Sequence, residues 1–199
     1  MPEPYEAAQT ELAAINSILS AAGEASVSAL GTTDSTQAEL ILDEVNREVQ
    51  SKGWFFNKRF NVSYTPVSSQ ITMPTNVISI DTQRNDILLT IRDGKLFNLQ
   101  TGVDNDFSGT VKLDIVELLP FADCPEVARN YMQKMASVYY LQRIAGDERM
   151  TRFAIGAAQT AQGLLMREEI RVQSTTIYGR RDRIALTTKN PLDRIQTNR

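Results

Sequence analysis

The chain has 199 residues, 42% of them hydrophobic and 23% charged, with a formal net charge of −3 and no histidine. This is the composition of one globular domain, with room for a smaller second lobe, and the charge makes no global case for nucleic-acid binding. Without imidazole there is no Ser–His or Cys–His dyad, a zinc site would have only carboxylates and one thiol, and the single Cys124 excludes an internal disulfide framework. No stretch approaches the ~20 apolar residues of a membrane span. The opening "MPEPYEAAQTEL" lacks the basic and apolar regions of a signal peptide.

Residues 5–22 read as a helix, with Ala8, Leu12, Ile15, Leu19 and Ala22 at helical spacing and Gly23 where a left-handed cap belongs. After the connection "EASVSALGTTD", Asp34 or Ser35 can cap a second helix whose stripe is Ala38, Ile41, Leu42, Val45 and Val49, ended by Gly53. The period then changes to two. Phe60, Val62 and Tyr64 alternate with polar residues, and "ITMPTNVISI", broken by Pro74, reads as an edge strand or two short strands. Asp93-Gly94 marks a two-residue hairpin turn within residues 87–99. Val111, Leu113 and Ile115 predict a last strand.

At Pro120 the helical period returns. Asp123 and Pro125 open a third helix, which Gly146 closes. Asp147 can cap a fourth helix reaching about Val172, with Met150, Phe153, Ala157, Ala161, Leu164 and Glu168 in line. Its small-residue centre "AIGAAQTAQG" suits close approach of another helix, from this chain or a neighbouring one. Beyond it the chain is polar and basic and lacks the apolar surface to fold alone. The expected fold is therefore α+β: an antiparallel helical bundle, residues 1–53 and 121–173, split by an inserted antiparallel β lobe, residues 54–120. An extended basic tail, residues 174–199, follows.

Two features have functional weight. Trp54, Phe55 and Phe56 stand where the period changes, at the seam of the two lobes, where their burial would fix one lobe against the other. An exposed aromatic anchor for a partner is the less favoured reading. The charge is also polarised. Residues 1–50 carry nine acids against Arg47 alone, net −8, whereas residues 170–199 carry seven bases against Asp182 and Asp193, net +5. Such polarity suits head-to-tail contact between copies or contact with a second protein, as against two solvated surfaces of a monomer.

Catalytic motifs are weak. "DNDFSGTVKLDI" places Asp104, Asp106, Ser108 and Gly109 at calcium-loop positions, but Ile115 stands where a bidentate glutamate belongs, so a polar turn is preferred. The carboxylate pairs Asp43/Glu44, Asp104/Asp106 and Glu168/Glu169 lack a sugar platform and read as surface charge. No phosphate loop occurs. Cys124, before a proline at a helix start, reads as a structural thiol. The expectation is a protein with no catalytic residues, no cofactor and no metal.

Two stretches resemble a known family. "NSILSAAGEASVSAL", residues 16–30, is similar to its pattern N-x-I-L-x-x-x-G-E-x-x-V-x-x-L, and "VNREVQSKGWFFN", residues 45–57, to its helix ending in G-W-x-F-N. The family is that of tail tubular protein A, the adaptor or gatekeeper of short-tailed bacteriophages. The resemblance implies a homo-oligomeric ring in the virion, commonly of twelve copies. It would join the portal protein to the tail nozzle, tail tubular protein B, and pass double-stranded DNA without sequence-specific binding. Within that frame Arg180, Arg181, Arg183 and Arg194 are the expected contacts to the portal or a neighbouring subunit. The acidic excess suits a conduit whose walls do not grip phosphate. The open alternatives are a head–tail connector of the long-tailed type and a glycan hydrolase using paired carboxylates.

Overall fold

Helix α1, Pro4–Ala21, ends in a Schellman turn: Gly23 N–H donates to the Ser20 carbonyl (3.1 Å) and Glu24 N–H to that of Leu19 (3.0 Å). Two hydrogen bonds between Asn16 and Val27, one in each direction, tie the following connection back onto α1. Helix α2, Thr33–Ser51, is capped by Thr32, not by the expected Asp34 or Ser35. Ser35 is the reciprocal member of a capping box, its hydroxyl accepting from Thr32 N–H while Thr32 Oγ1 accepts from Ser35 N–H. The computed structural model describes residues 4–82 and 87–177, with side chains at 10–82 and 87–172.

The β lobe comprises β1 (Lys58–Tyr64), β2 (Val77–Thr82), β3 (Leu89–Arg92), β4 (Lys95–Asn98) and β5 (Val111–Glu117). The last strand lies in the middle: β1, β5 and β2 form a three-stranded antiparallel sheet, and β3–β4 a separate hairpin turning at Asp93-Gly94, both at positive φ. "ITMPTNVISI" supplies one strand. Its first half hangs on the hairpin through Leu96 N–H to the Ile71 carbonyl (2.9 Å) and Met73 N–H to that of Gly94 (2.8 Å). The expected alternation in β1 fails at Phe60, which is 48% exposed. A bulge between Arg59 and Val62, with Asn61 at φ 55°, resets the register. Ile71, Met73, Val77, Leu96, Phe107, Leu113 and Ile115 form this lobe's core.

A 3-10 turn, Phe121–Asp123, leads into α3, Glu126–Tyr140, which continues through a π-helical turn, Leu141–Ala145, to Gly146. Helix α4, Glu148–Ile177, runs past the expected end and is capped by Asp147, whose carboxylate accepts from Met150 N–H (2.9 Å). Helix α3 is the hub, packing on α1, α2 and α4, while α1 and α2 also meet each other. The helical core joins Ile15, Ile18 and Leu19 of α1, Leu42 and Val45 of α2, Met132 of α3 and Leu165 of α4.

Of the expected inward stripe of α4 only Ala161 is buried, and Glu168 is half-buried. Thr151, Ala158, Ala161 and Leu165 are buried, whereas Met150, Phe153, Ala157 and Leu164 face outward, Phe153 at 68% exposure. The helix has apolar side chains on two flanks, and the small pair Ala158/Ala161 is the one that admits α3 at close range.

Candidate functional site

The segment Gly53–Asn57 joins the helices to the sheet. Gly53 has φ +68°, and a Cβ there would stand 2.5 Å from Lys58 Cε and 2.9 Å from Val116 Cγ2. Only glycine takes this turn while lying so close to β5. Trp54 then drops into the helical core, and its indole N–H donates to the Val49 carbonyl (2.7 Å). Burying a ring of this size is worth on the order of 2–3 kcal/mol. Phe55 and Phe56 are half-buried against the same core, edge to face with centroids 5.4 Å apart. Phe55 N–H donates to Glu169 Oε2 of α4 (2.7 Å), so the aromatic run touches the far helix as well.

The aromatics belong to the helical core, and a polar network that the sequence reading missed reaches across to the sheet. Gln50 Nε2 donates to the Leu119 carbonyl and to Asn46 Oδ1, both at 2.8 Å, and Gln50 Oε1 accepts from Leu119 N–H (2.8 Å). Asn57 Oδ1 accepts from Trp54 N–H (2.7 Å), and its Nδ2 donates to the carbonyls of Gln50 (3.0 Å) and Glu117 (2.9 Å). Asn46, Gln50 and Asn57 are all buried. The final asparagine of G-W-x-F-N was the available signal: a buried amide after an aromatic run must find backbone partners.

Other candidate groups are engaged locally. Asp104 pairs with Lys95 (3.4 Å) and accepts from Gln70, and Asp106 accepts from Asn98 and Thr101. Asp43 pairs with Arg47, Glu44 with Arg143, and Glu168 with Arg171. These carboxylates do not converge on a cavity, and among the described residues no cluster of three or more potential ligands forms a metal site. Cys124 is buried under Gln50, and burial pushes its thiol up to about 12, with nearby Arg129 acting weakly the other way. It is not an activated nucleophile.

Among the described residues no helix is long and apolar enough to cross a membrane. Arg180, Arg181, Arg183 and Arg194 lie outside the described residues.

The fold is of the α+β class, a split helical bundle with an inserted antiparallel sheet, joined by buried amides. The family model described as tail tubular protein matches residues 12–175. Tail tubular protein A of Klebsiella phage KP34 is 30% identical over 182 residues, covering 88% of this chain and 97% of that protein. The chain belongs to the tail tubular protein family and is a structural protein of the bacteriophage tail. The match runs through the β lobe as well as the helices, beyond the two stretches that first carried the resemblance.

Proposed function

We propose that this chain is a ring-forming adaptor that joins the portal to the tail nozzle and forms part of the channel for genome ejection. Membership of the tail tubular family along nearly the whole chain carries this reading. Supporting it are the charge polarity of the two ends and an exposed apolar flank on α4. In the assembled tail the helical lobe makes the contacts between copies, a head-to-tail interface that closes under cyclic symmetry, with twelve copies. The seam of Trp54, Phe55 and Phe56, with the amides beneath, holds the β lobe at a set angle to the bundle, facing the nozzle protein or the outside. The basic tail with Arg180, Arg181, Arg183 and Arg194 engages the portal or an adjacent subunit. DNA passes without sequence readout, and no catalytic turnover is involved. Assembly takes place in the host cytoplasm.

The test is truncation after Ile177, which removes residues 178–199. The shortened chain is expected to keep its helical circular dichroism and melting temperature but to lose portal binding in pull-down and sedimentation. Normal docking by the truncated chain would refute the role given to the tail.

A further inference from the structure

Helix α4 is held unevenly along its length. In its second half Leu165 is fully buried, and Glu169 Oε2 accepts from Phe55 N–H at the joint between the lobes (2.7 Å). The first half, residues 148–162, buries only small side chains, those of Thr151, Ala158 and Ala161. Small side chains remove little apolar area from water, and such burial is what holds a helix to its neighbours. The polar groups of this half are turned on the helix itself. Asp147 caps it through Met150 N–H (2.9 Å), Thr151 Oγ1 donates to the Asp147 carbonyl (2.6 Å), Thr160 Oγ1 donates to that of Gly156 (3.0 Å), and Arg152 pairs with Glu148 (3.8 Å). Among the described residues, no hydrogen bond or ion pair ties a side chain of this half to α1, α2 or α3.

Open space flanks the same half. A groove of about 350 Å3 is lined by Phe153 and Ala154 with Ser17 and Ser20 of α1, and another of about 430 Å3 by Ile155 and Gln159 with Glu48 and Lys52 of α2. Helix α3 lines both, through Ser137 in the first and Met135 and Val138 in the second. The backbone is also interrupted at each end of this half. Before it stand the π-helical turn and Gly146, left-handed at φ 65°. That turn is fixed to the rest of the bundle: Arg143 makes two hydrogen bonds to Glu44 of α2 (2.6 and 2.9 Å), and the adjoining Tyr140 donates to Glu24 (2.8 Å). Gly156 and Gly163 lie in the helix interior. A Cβ at either would meet nothing within 4 Å, so packing does not call for glycine there. Each weakens the helix relative to alanine and gains no close contact within the chain in return.

We infer that residues 148–162 form a strap that lifts from the bundle as one unit, bounded by Gly146 and Gly163, while Leu165 and Glu169 keep the rest of α4 in place. Once lifted, a helix this short, with a glycine at its centre, does not hold in water and unwinds. Lifting joins the two grooves into one trough along α3 and bares Val138, which is 4% exposed in the closed form. Segments with few buried apolar contacts open locally at a fraction of the cost of global unfolding. The joint between the lobes is untouched, so the chain changes the surface of its helical lobe without losing its shape.

Amide hydrogen exchange of the full-length chain, resolved by residue with NMR, reads the opening directly. Residues 152–162 are expected to share one level of protection, about ten-fold or more below that of residues 165–172 and of α3. Gly156→Ala and Gly163→Ala should each raise the protection of the whole stretch together by roughly four- to five-fold, the difference in helix propensity, and leave α3 unchanged. A thiol beneath the strap gives a second reading. In Val138→Cys at pH 8, iodoacetamide should modify the new thiol about ten-fold or more faster than Cys124, which the strap does not cover. Protection that climbs residue by residue from Glu148 would be fraying of a helix end, and protection equal to that of α3 would mean that nothing lifts; either overturns the strap. Glycine replacements that each act on one turn alone, or two thiols modified at the same rate, would overturn it as well.

Discussion

The side-chain amide of Gln50 exchanges two hydrogen bonds, both 2.8 Å, with the backbone of Leu119, donating to its carbonyl and accepting from its N–H. One helical side chain thus takes the place of a strand, satisfying the chain as it leaves β5 for the bundle. Replacement by leucine keeps the volume and removes both bonds, orphaning the Leu119 N–H and the Asn46 Oδ1 and leaving the Leu119 carbonyl only its longer bond from Asn46 Nδ2 (3.3 Å). Gln50→Leu is expected to destabilise the chain by about 3 kcal/mol, at roughly 1–3 kcal/mol for each orphaned buried group, measured by urea unfolding.

Gly53 sits beside that exchange in the left-handed region, against Lys58 and Val116. Alanine there meets unfavourable φ, about 1–2 kcal/mol, and a collision. Gly53→Ala should lower stability by about 2–4 kcal/mol in all. Adding Lys58→Ala should restore part of it, because the Lys58 side chain retreats from the new Cβ while the backbone strain stays. Full recovery in the double variant would argue against strain.

The two flanks of α4 separate in their mutational effects. Leu165 is fully buried, so Leu165→Ala should cost about 2–5 kcal/mol of fold stability. Phe153→Ala should leave monomer stability within about 0.5 kcal/mol yet impair assembly. Thermal melts of both variants beside sedimentation of their complexes check this.

Alkaline stability follows from two buried groups. Cys124 is pushed up to about 12 by burial, and Tyr140 to about 12 by burial and by its hydrogen bond to Glu24 (2.8 Å). The unfolded chain releases these protons at ordinary thiol and phenol values, from about pH 9 to 10, while the folded chain holds them. Their contribution is fully present below pH 9 and is lost as pH rises towards 12. Unfolding free energy should therefore fall across pH 9–12, less steeply in Cys124→Ala. At pH 8 the native thiol should resist iodoacetamide and the urea-unfolded one should react.

Much of this was legible in the residues, for local reasons. The α2 stripe has one apolar face, so its phase was unambiguous, and Asp93-Gly94 specifies its turn in two residues. Helix α4 was read a residue out of phase because apolar and small side chains occupy both flanks, and periodicity does not say which flank meets α3. Phe60 lost its place to a bulge, which spacing does not show. The central position of β5 depends on long-range pairing, with Lys58 opposite Val116, and no local pattern encodes it. Asn46 and Gln50 stand outside the apolar stripe of α2, and it is the chain around Leu119, distant in sequence, that buries them.

Copies of this chain are expected to close into a ring on the portal. Native mass spectrometry of the purified full-length chain, titrated onto portal rings, tests it most directly. A complete set of twelve copies per portal, appearing cooperatively and with few partly loaded species, is the expected result. A statistical spread of one, two or three bound copies, or no binding at all, would contradict it.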